Sequence, residues 1–239
     1  MGEHNVAEDS LRFLQSILLA ESKQARKKPE TPPAPTVALS RDYGAGGEEV
    51  ARRVADYLGV KTFDHEILEA VAKAIGAEPH LLQHLDERVS SMWDSWLRSL
   101  VGGRDIYRTN YRRRLFDVVL GIACTGGVIL GRGAHLILAT RQAFRVRITG
   151  SPRRCAQRVA EAEGVTVDEA MRRVLEVNAE RERYIRDIYG RELNNVSDFD
   201  LIINTDKYAD LDQVARLIIT AMGYSGIALP PSAPDATGG

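Results

Sequence analysis

The chain has 239 residues, 44% of them hydrophobic and 27% charged, and a formal net charge of −1 at pH 7. That suits one α/β domain with appendages and gives no bulk basic charge for nucleic acid. No apolar run approaches the roughly 20 residues of a bilayer span, and the two cysteines, Cys124 and Cys155, read as free thiols of a cytoplasmic protein with no secretory signal.

Residues from about Ser10 to Lys27 are predicted to form a short amphipathic helix, with Leu11, Leu14, Ile17 and Leu18 near one face. Pro29, Pro32, Pro33 and Pro35 cannot continue it, so residues 1–35 read as a helix and linker, a docking or dimer arm. The core domain is expected over 36–223 and a frayed, flexible tail over 224–239.

Thr36 to Ser40 is predicted as the first strand. Arg41-Asp42-Tyr43-Gly44-Ala45-Gly46-Gly47 follows, and then a helix with Val50, Val54, Tyr57 and Leu58 on one side and a stop at Gly59. Strand, glycine-rich turn and helix start build a phosphate cradle, because backbone N–H groups and the helix dipole converge there. Against the pattern G-x-x-x-x-G-K-[ST], Arg41 stands at the first glycine, Gly47 at the lysine and Glu48 at the hydroxyl. Ser40, Gly44, Ala45, Gly46 and Gly47 are the expected donor-phosphate residues.

Val60 to Phe63 is predicted as a short strand, with Asp64 capping a helix that carries Ile67, Leu68 and Val71. Glu78 to Gly121 reads as mostly helical with a break at Gly102-Gly103; Trp93 and Trp96 read as packing for this insertion or a subunit contact. Arg104, Arg108, Arg112, Arg113 and Arg114 beside Tyr107 and Tyr111 read as a solvated helix face or a substrate-phosphate approach rather than a nucleic-acid patch. Val128 to Leu130, Phe144 to Thr149 and a buried Leu201 to Ile203 are further strands. Ser151-Pro152 opens one helix, the Thr166–Glu169 capping box opens a long one to about Tyr189, and Asp210 to Met222 is the last. Strands alternating with helices predict a parallel sheet covered on both faces, with ligands at the strand carboxyl ends. Arg41 and Arg132 stand at two such ends, and Arg172, Arg173, Arg181, Arg183 and Arg186 lie on the long helix. Forked arginine donors suit phosphate. No metal-ligand cluster is read.

Four segments together resemble the cytidylate kinase-like family, relatives of the nucleoside monophosphate kinases. They are Leu39–Gly47 (LSRDYGAGG), Phe63–Leu68 (FDHEIL), Val128–Ala134 (VILGRGA), and Asn178–Tyr189 followed by Asp198–Thr205. The likeness spans roughly Thr36 to Met222. It implies a P-loop kinase-type three-layer α/β fold with a five-stranded parallel sheet, a helical monophosphate-binding insertion at about 64–125 and an arginine-bearing lid at about 166–197. It implies ATP and Mg²⁺ as cofactors and a small-molecule nucleotide substrate as partner, with Arg132 and Asp64 at the acceptor and Arg181 a lid arginine. Arg41, Arg181 and Arg183 are the expected catalytic cations. This chain departs from the family pattern at Gly47, at Gly133 after the strand-end arginine, and at Asn178 where a related lid carries an acid. Three readings stay open: a kinase acting on a CMP-like monophosphate or related acceptor, a nucleotide-binding regulatory protein without turnover, and a dimerisation protein that retains the fold.

Overall fold

The computed structural model describes residues 34–74 and 105–231. The N-terminal helix, most of the proline linker, the Gly102-Gly103 break, Trp93 and Trp96, and the end of the tail lie outside them, and with them the expected dimer contacts.

The chain divides into two units. One contains Ala34–Thr62 and everything from Gly126 onward; the other contains Phe63–Thr125. The first holds β1 (Thr36–Arg41), α1 (Gly47–Leu58), β3 (Gly127–Leu130), α4 (Ala134–Ile137), β4 (Phe144–Thr149), α5 (Pro152–Glu163), α6 (Val167–Tyr189), β5 (Leu201–Asn204) and α7 (Leu211–Tyr224). β2 (Thr62–Phe63) falls on the boundary, and the second unit contains α2 (His65–Ala74) and α3 (Asp105–Thr125), which pack on each other. In that unit Ile67, Leu115, Val119 and Ile122 are fully buried. Tyr111 is buried too, so it offers no stacking platform, while Arg112, Arg113 and Arg114 are exposed.

The sheet has five strands in the order β2-β3-β1-β4-β5, and β1 is parallel to both of its neighbours. The chain crosses β1 between β3 and β4, so the topological switch point lies at the carboxyl end of β1. Register puts Val37, Leu39, Val128, Leu130, Phe144, Val146 and Ile148 on one face, and all are buried with α1, α5, α6 and α7 in one core. Burying each large aliphatic side chain contributes about 1.5–3 kcal/mol. The other face carries Ala38, Ile129, Ser40, Arg145 and Arg147; the polar Ser40 and Arg147 are buried there, while Arg145 is partly exposed.

Local signals end the helices where the sequence places them. Gly59, Gly164 and Gly190 adopt left-handed backbone after α1, α5 and α6; the Ser151 hydroxyl accepts from Arg154 N and the Thr166 hydroxyl from Glu169 N. Two expectations need correction. The second strand is shorter than Val60–Phe63, because the Val60 N–H is taken by the Ala55 carbonyl in the C-cap of α1. β5 is not a buried strand: it lies at the sheet edge, where only Ile203 is buried and Ile202 is 42% exposed. Ile227 and Leu229, which the sequence assigns to the tail, lie partly buried against the core. Among the described residues no helix is long and apolar enough to cross a membrane.

Candidate active site

The site is built at the carboxyl end of β1. Gly44 and Gly46 have φ of 78° and 80°, which lets the chain turn tightly from strand into α1. The loop is clamped from several sides. Tyr43 N donates to Asn178 Oδ1 (2.8 Å), Asp42 N to Ile148 O (2.9 Å), and the Thr205 hydroxyl to Ala45 O (2.9 Å). A methyl group on Gly44 would lie 2.7 Å from Cys155 O, and one on Gly46 would lie 2.5 Å from Leu211 Cδ1. The first turn of α1 then presents N–H groups that have no intrahelical acceptor.

Arg41 and Gly47 explain one another. A Cβ at Gly47 would lie 2.5 Å from Arg41 Cβ and 2.7 Å from Arg41 Cγ. The side chain of Arg41 therefore runs over the position where the G-x-x-x-x-G-K pattern carries its lysine. In that pattern the first glycine leaves the space open; here the arginine fills it and position 47 must be glycine. The two departures are one exchange. Beyond this crossing the guanidinium spreads toward β3, since a Cβ at Gly131 would lie 2.7 Å from Arg41 Nη1. Its Nε donates to Glu48 Oε1 at 2.8 Å.

The long helix α6 seats Arg181 on this cluster. Arg181 Nη1 donates to the Arg41 carbonyl at 3.0 Å, and Nη2 is 3.9 Å from Glu48 Oε1. Partial burial pushes the Glu48 carboxyl up, but Arg41 and Arg181 outweigh it and hold the group below its ordinary value. Arg183 is not brought to this place: it is exposed, two residues on and so about 200° around the helix. Arg172, Arg173 and Arg186 are also exposed, and Arg173 pairs with Glu163, which in turn accepts from the Tyr43 hydroxyl.

At the end of β3, Gly131, Arg132 and Gly133 have φ of 79°, 55° and 69°. Arg132 is the one non-glycine among the described residues with positive φ, and such backbone in a bulky residue is a strained arrangement that clusters at functional sites. Tyr189 donates to its carbonyl at 2.6 Å, and the Tyr189 ring covers Gly133 so closely that no Cβ fits there. The glycine after the strand-end arginine is thus dictated by packing. Asn178, Arg181 and Tyr189, all on α6, hold the two loops that end β1 and β3.

Ser40 is buried rather than exposed at the cradle; its hydroxyl accepts from Arg147 Nη1 at 3.3 Å. Arg147 Nη2 also binds Asp42 Oδ1 (2.5 Å) and Asn194 Oδ1 (3.0 Å), so a buried cation props the first loop residues from below. Burial pushes the Arg147 guanidinium below its ordinary value, and Asp42 opposes that. Nearby, burial pushes His135 down to about 4, with Asp198 opposing, and its ring stacks on Phe199 at 4.6 Å. Asp64 lies in the other unit, at the start of α2, with His65 Nε2 3.9 Å from its carboxylate. Sequence reasoning missed Asp42, Arg147, Thr205 and Tyr189 as supports. Asp42 follows the strand-end arginine, and Arg147 is a charged residue inside the alternating strand β4; those were the available signals.

The profile of the cytidylate kinase-like family matches residues 36–207. Cytidylate kinase of Pyrococcus horikoshii is 39% identical over 177 residues, covering 72% of this chain and 81% of that protein. Cytidylate kinase of Pyrococcus furiosus is 39% identical over 69 residues, 29% of this chain and 35% of that protein. An uncharacterized protein from Eubacterium ventriosum shares the fold, with a TM-score of 0.60 at 21% identity, covering 79% of this chain and 98% of the other. The phosphate-type loop, the parallel sheet that carries it and these matches agree: the chain belongs to the cytidylate kinase-like family.

Proposed function

We propose that this protein transfers the γ-phosphoryl group of ATP to a nucleoside monophosphate, CMP-like, or to a related small acceptor. The observation that carries the reading is the course of Arg41 across Gly47, which returns a cation to a loop that lacks its lysine. The cytidylate kinases among the relatives support the reaction class.

Donor phosphates lie on the backbone N–H groups of Gly44 to Gly47 at the positive end of α1. Transfer needs little covalent help from the protein; it needs alignment and neutralisation of charge on the moving phosphoryl. Arg41 and Arg181, mostly buried at 12% and 19% side-chain exposure, supply that charge in a setting where it is poorly screened. Arg132, on the strained turn that ends β3, grips the acceptor phosphate. Arg183, exposed on the far side of α6, acts only if the helix turns or the acceptor reaches it.

The donor set suits Mg²⁺. Among the described residues no group of three or more His, Cys, Asp or Glu forms a protein cage, and a nucleotide-bound Mg²⁺ requires none, because substrate phosphates, waters and one or two carboxylates complete its shell. Glu48, half exposed where the pattern carries its hydroxyl, is the residue that would hold it. Held there, the ion would supply positive charge to offset that of the substrate phosphates.

A regulatory reading, binding without turnover, is favoured by one observation: Arg41 and Arg181 already have a carboxylate partner in Glu48. The test is product analysis with ATP, Mg²⁺ and a panel of monophosphates and small acceptors. Acceptor-dependent ADP formation supports the kinase. Nucleotide binding with no product across the panel leaves the regulatory reading.

A further inference from the structure

We propose that Glu48 is a built-in competitor for the phosphate site, a carboxylate that occupies the Arg41–Arg181 pair until a polyphosphate displaces it. The inference rests on the phosphate-binding part of the reading above and adds a selectivity device to it.

Two guanidinium groups that are largely removed from water need an anion, since an unpaired buried charge is costly. Arg41 Nε meets Glu48 Oε1 at 2.8 Å, and Arg181 Nη2 stands 3.9 Å from the same oxygen. One carboxylate oxygen thus serves both cations. Glu48 sits in the first turn of α1, where the N–H groups and dipole that favour phosphate also favour a carboxylate. The arginines are fixed by the fold: Arg41 by its crossing of Gly47, Arg181 by its bond to the Arg41 carbonyl. Glu48 is not fixed in that way. Its side chain is 51% exposed and can rotate into solvent while the cations stay. Its neighbour Glu49 points elsewhere and pairs with Arg53, one turn on, at 2.6 Å.

A ligand must therefore offer more to the two arginines than the tethered carboxylate does. A singly charged anion replaces one charge by another and loses the advantage of the tether. A di- or triphosphate brings several charges and more acceptor oxygens, so it wins. The device screens out small anions and reserves the site for polyphosphates.

The test is calorimetry with inorganic triphosphate in the absence of Mg²⁺, on wild type, Glu48→Gln, Glu48→Asp and Glu49→Gln, each checked for an unchanged melting temperature. Glu48→Gln should bind about ten- to a hundredfold more tightly, the worth of one charge-assisted hydrogen bond expressed as affinity. It should also gain measurable affinity for monoanions. Glu48→Asp, which keeps the charge, should stay within a few fold of wild type. Glu49→Gln removes equal charge from the same turn and should change affinity by less than about threefold, the scale of a screened surface charge. Unchanged or weaker binding in Glu48→Gln overturns the proposal, as does equal tightening in Glu49→Gln or no binding in any variant. These readouts need no turnover. The expected pattern without product would defeat the kinase reading and leave the competitor intact, and product without the pattern would do the reverse.

Discussion

Adding a single methyl group at Gly47 tests the exchange that defines this loop. In Gly47→Ala the new Cβ would lie 2.5 Å from Arg41 Cβ, about 1 Å inside the roughly 3.5–4.0 Å at which carbon atoms touch. Rotating the Arg41 side chain does not move its Cβ, so the backbone of β1 or of the first turn of α1 must shift. Overpacking of that kind costs about 1–3 kcal/mol, less the few tenths that alanine regains over glycine at a helix start. The partner substitutions separate the cause. Arg41→Ala keeps the Cβ, so Gly47→Ala should cost nearly the same in that background. Arg41→Gly removes it and restores the pattern's first glycine, so there the cost should fall to near zero. The coupling energy from urea unfolding, each cycle comparing four proteins, should exceed about 1 kcal/mol with Arg41→Gly and be near zero with Arg41→Ala. Additive costs in the glycine background would refute the claim that these two positions share one space.

Arg132→Gly relieves left-handed strain and should stabilise the fold by about 1 kcal/mol, yet weaken acceptor binding by about 1.5–3 kcal/mol; calorimetry and unfolding on one protein check both. Asp42→Ala strands the buried Arg147 charge and should cost about 3–5 kcal/mol, most of it recovered when Arg147→Met is added; an unrecovered loss would mean that the pair is not what matters. His135, 2% exposed, is held at about 4 against an ordinary 6.5, so the unfolded state binds more protons between those values. Stability should therefore fall by up to about 3 kcal/mol as pH drops from 6.5 to 4, and His135→Gln should flatten that slope in urea titrations; equal slopes would remove His135 as its source.

Much of the frame was legible because it rests on local rules. The apolar runs of β1 and β3, the Phe144/Val146/Ile148 alternation, the glycine stop after α1, and the Ser151 and Thr166 caps all act over a few residues. The site was legible in part. Arg41, Gly47 and Arg132 stand out in the sequence, but the contact that makes Gly47 obligatory joins residues six apart around a turn, and the one at Gly133 joins it to Tyr189 on another helix. Arg181 and Arg183 look alike in sequence; helix phase turns only Arg181 to the loop. Ser40 stands at the carboxyl end of β1, where strand alternation turns it away from the Val37/Leu39 face and its hydroxyl accepts from Arg147.

The most direct test of the central claim is nucleoside diphosphate formation from ATP and CMP, with other monophosphates and small acceptors alongside, compared between wild type and Arg41→Ala. If Arg41 carries the charge of the missing lysine, wild type forms product and Arg41→Ala loses about 10²–10³-fold in kcat, the usual loss when one preorganised transition-state donor is removed, while nucleotide binding falls much less. Equal rates in the two proteins would show that Arg41 is not the substitute, and nucleotide binding without product from wild type on any acceptor would contradict the kinase itself.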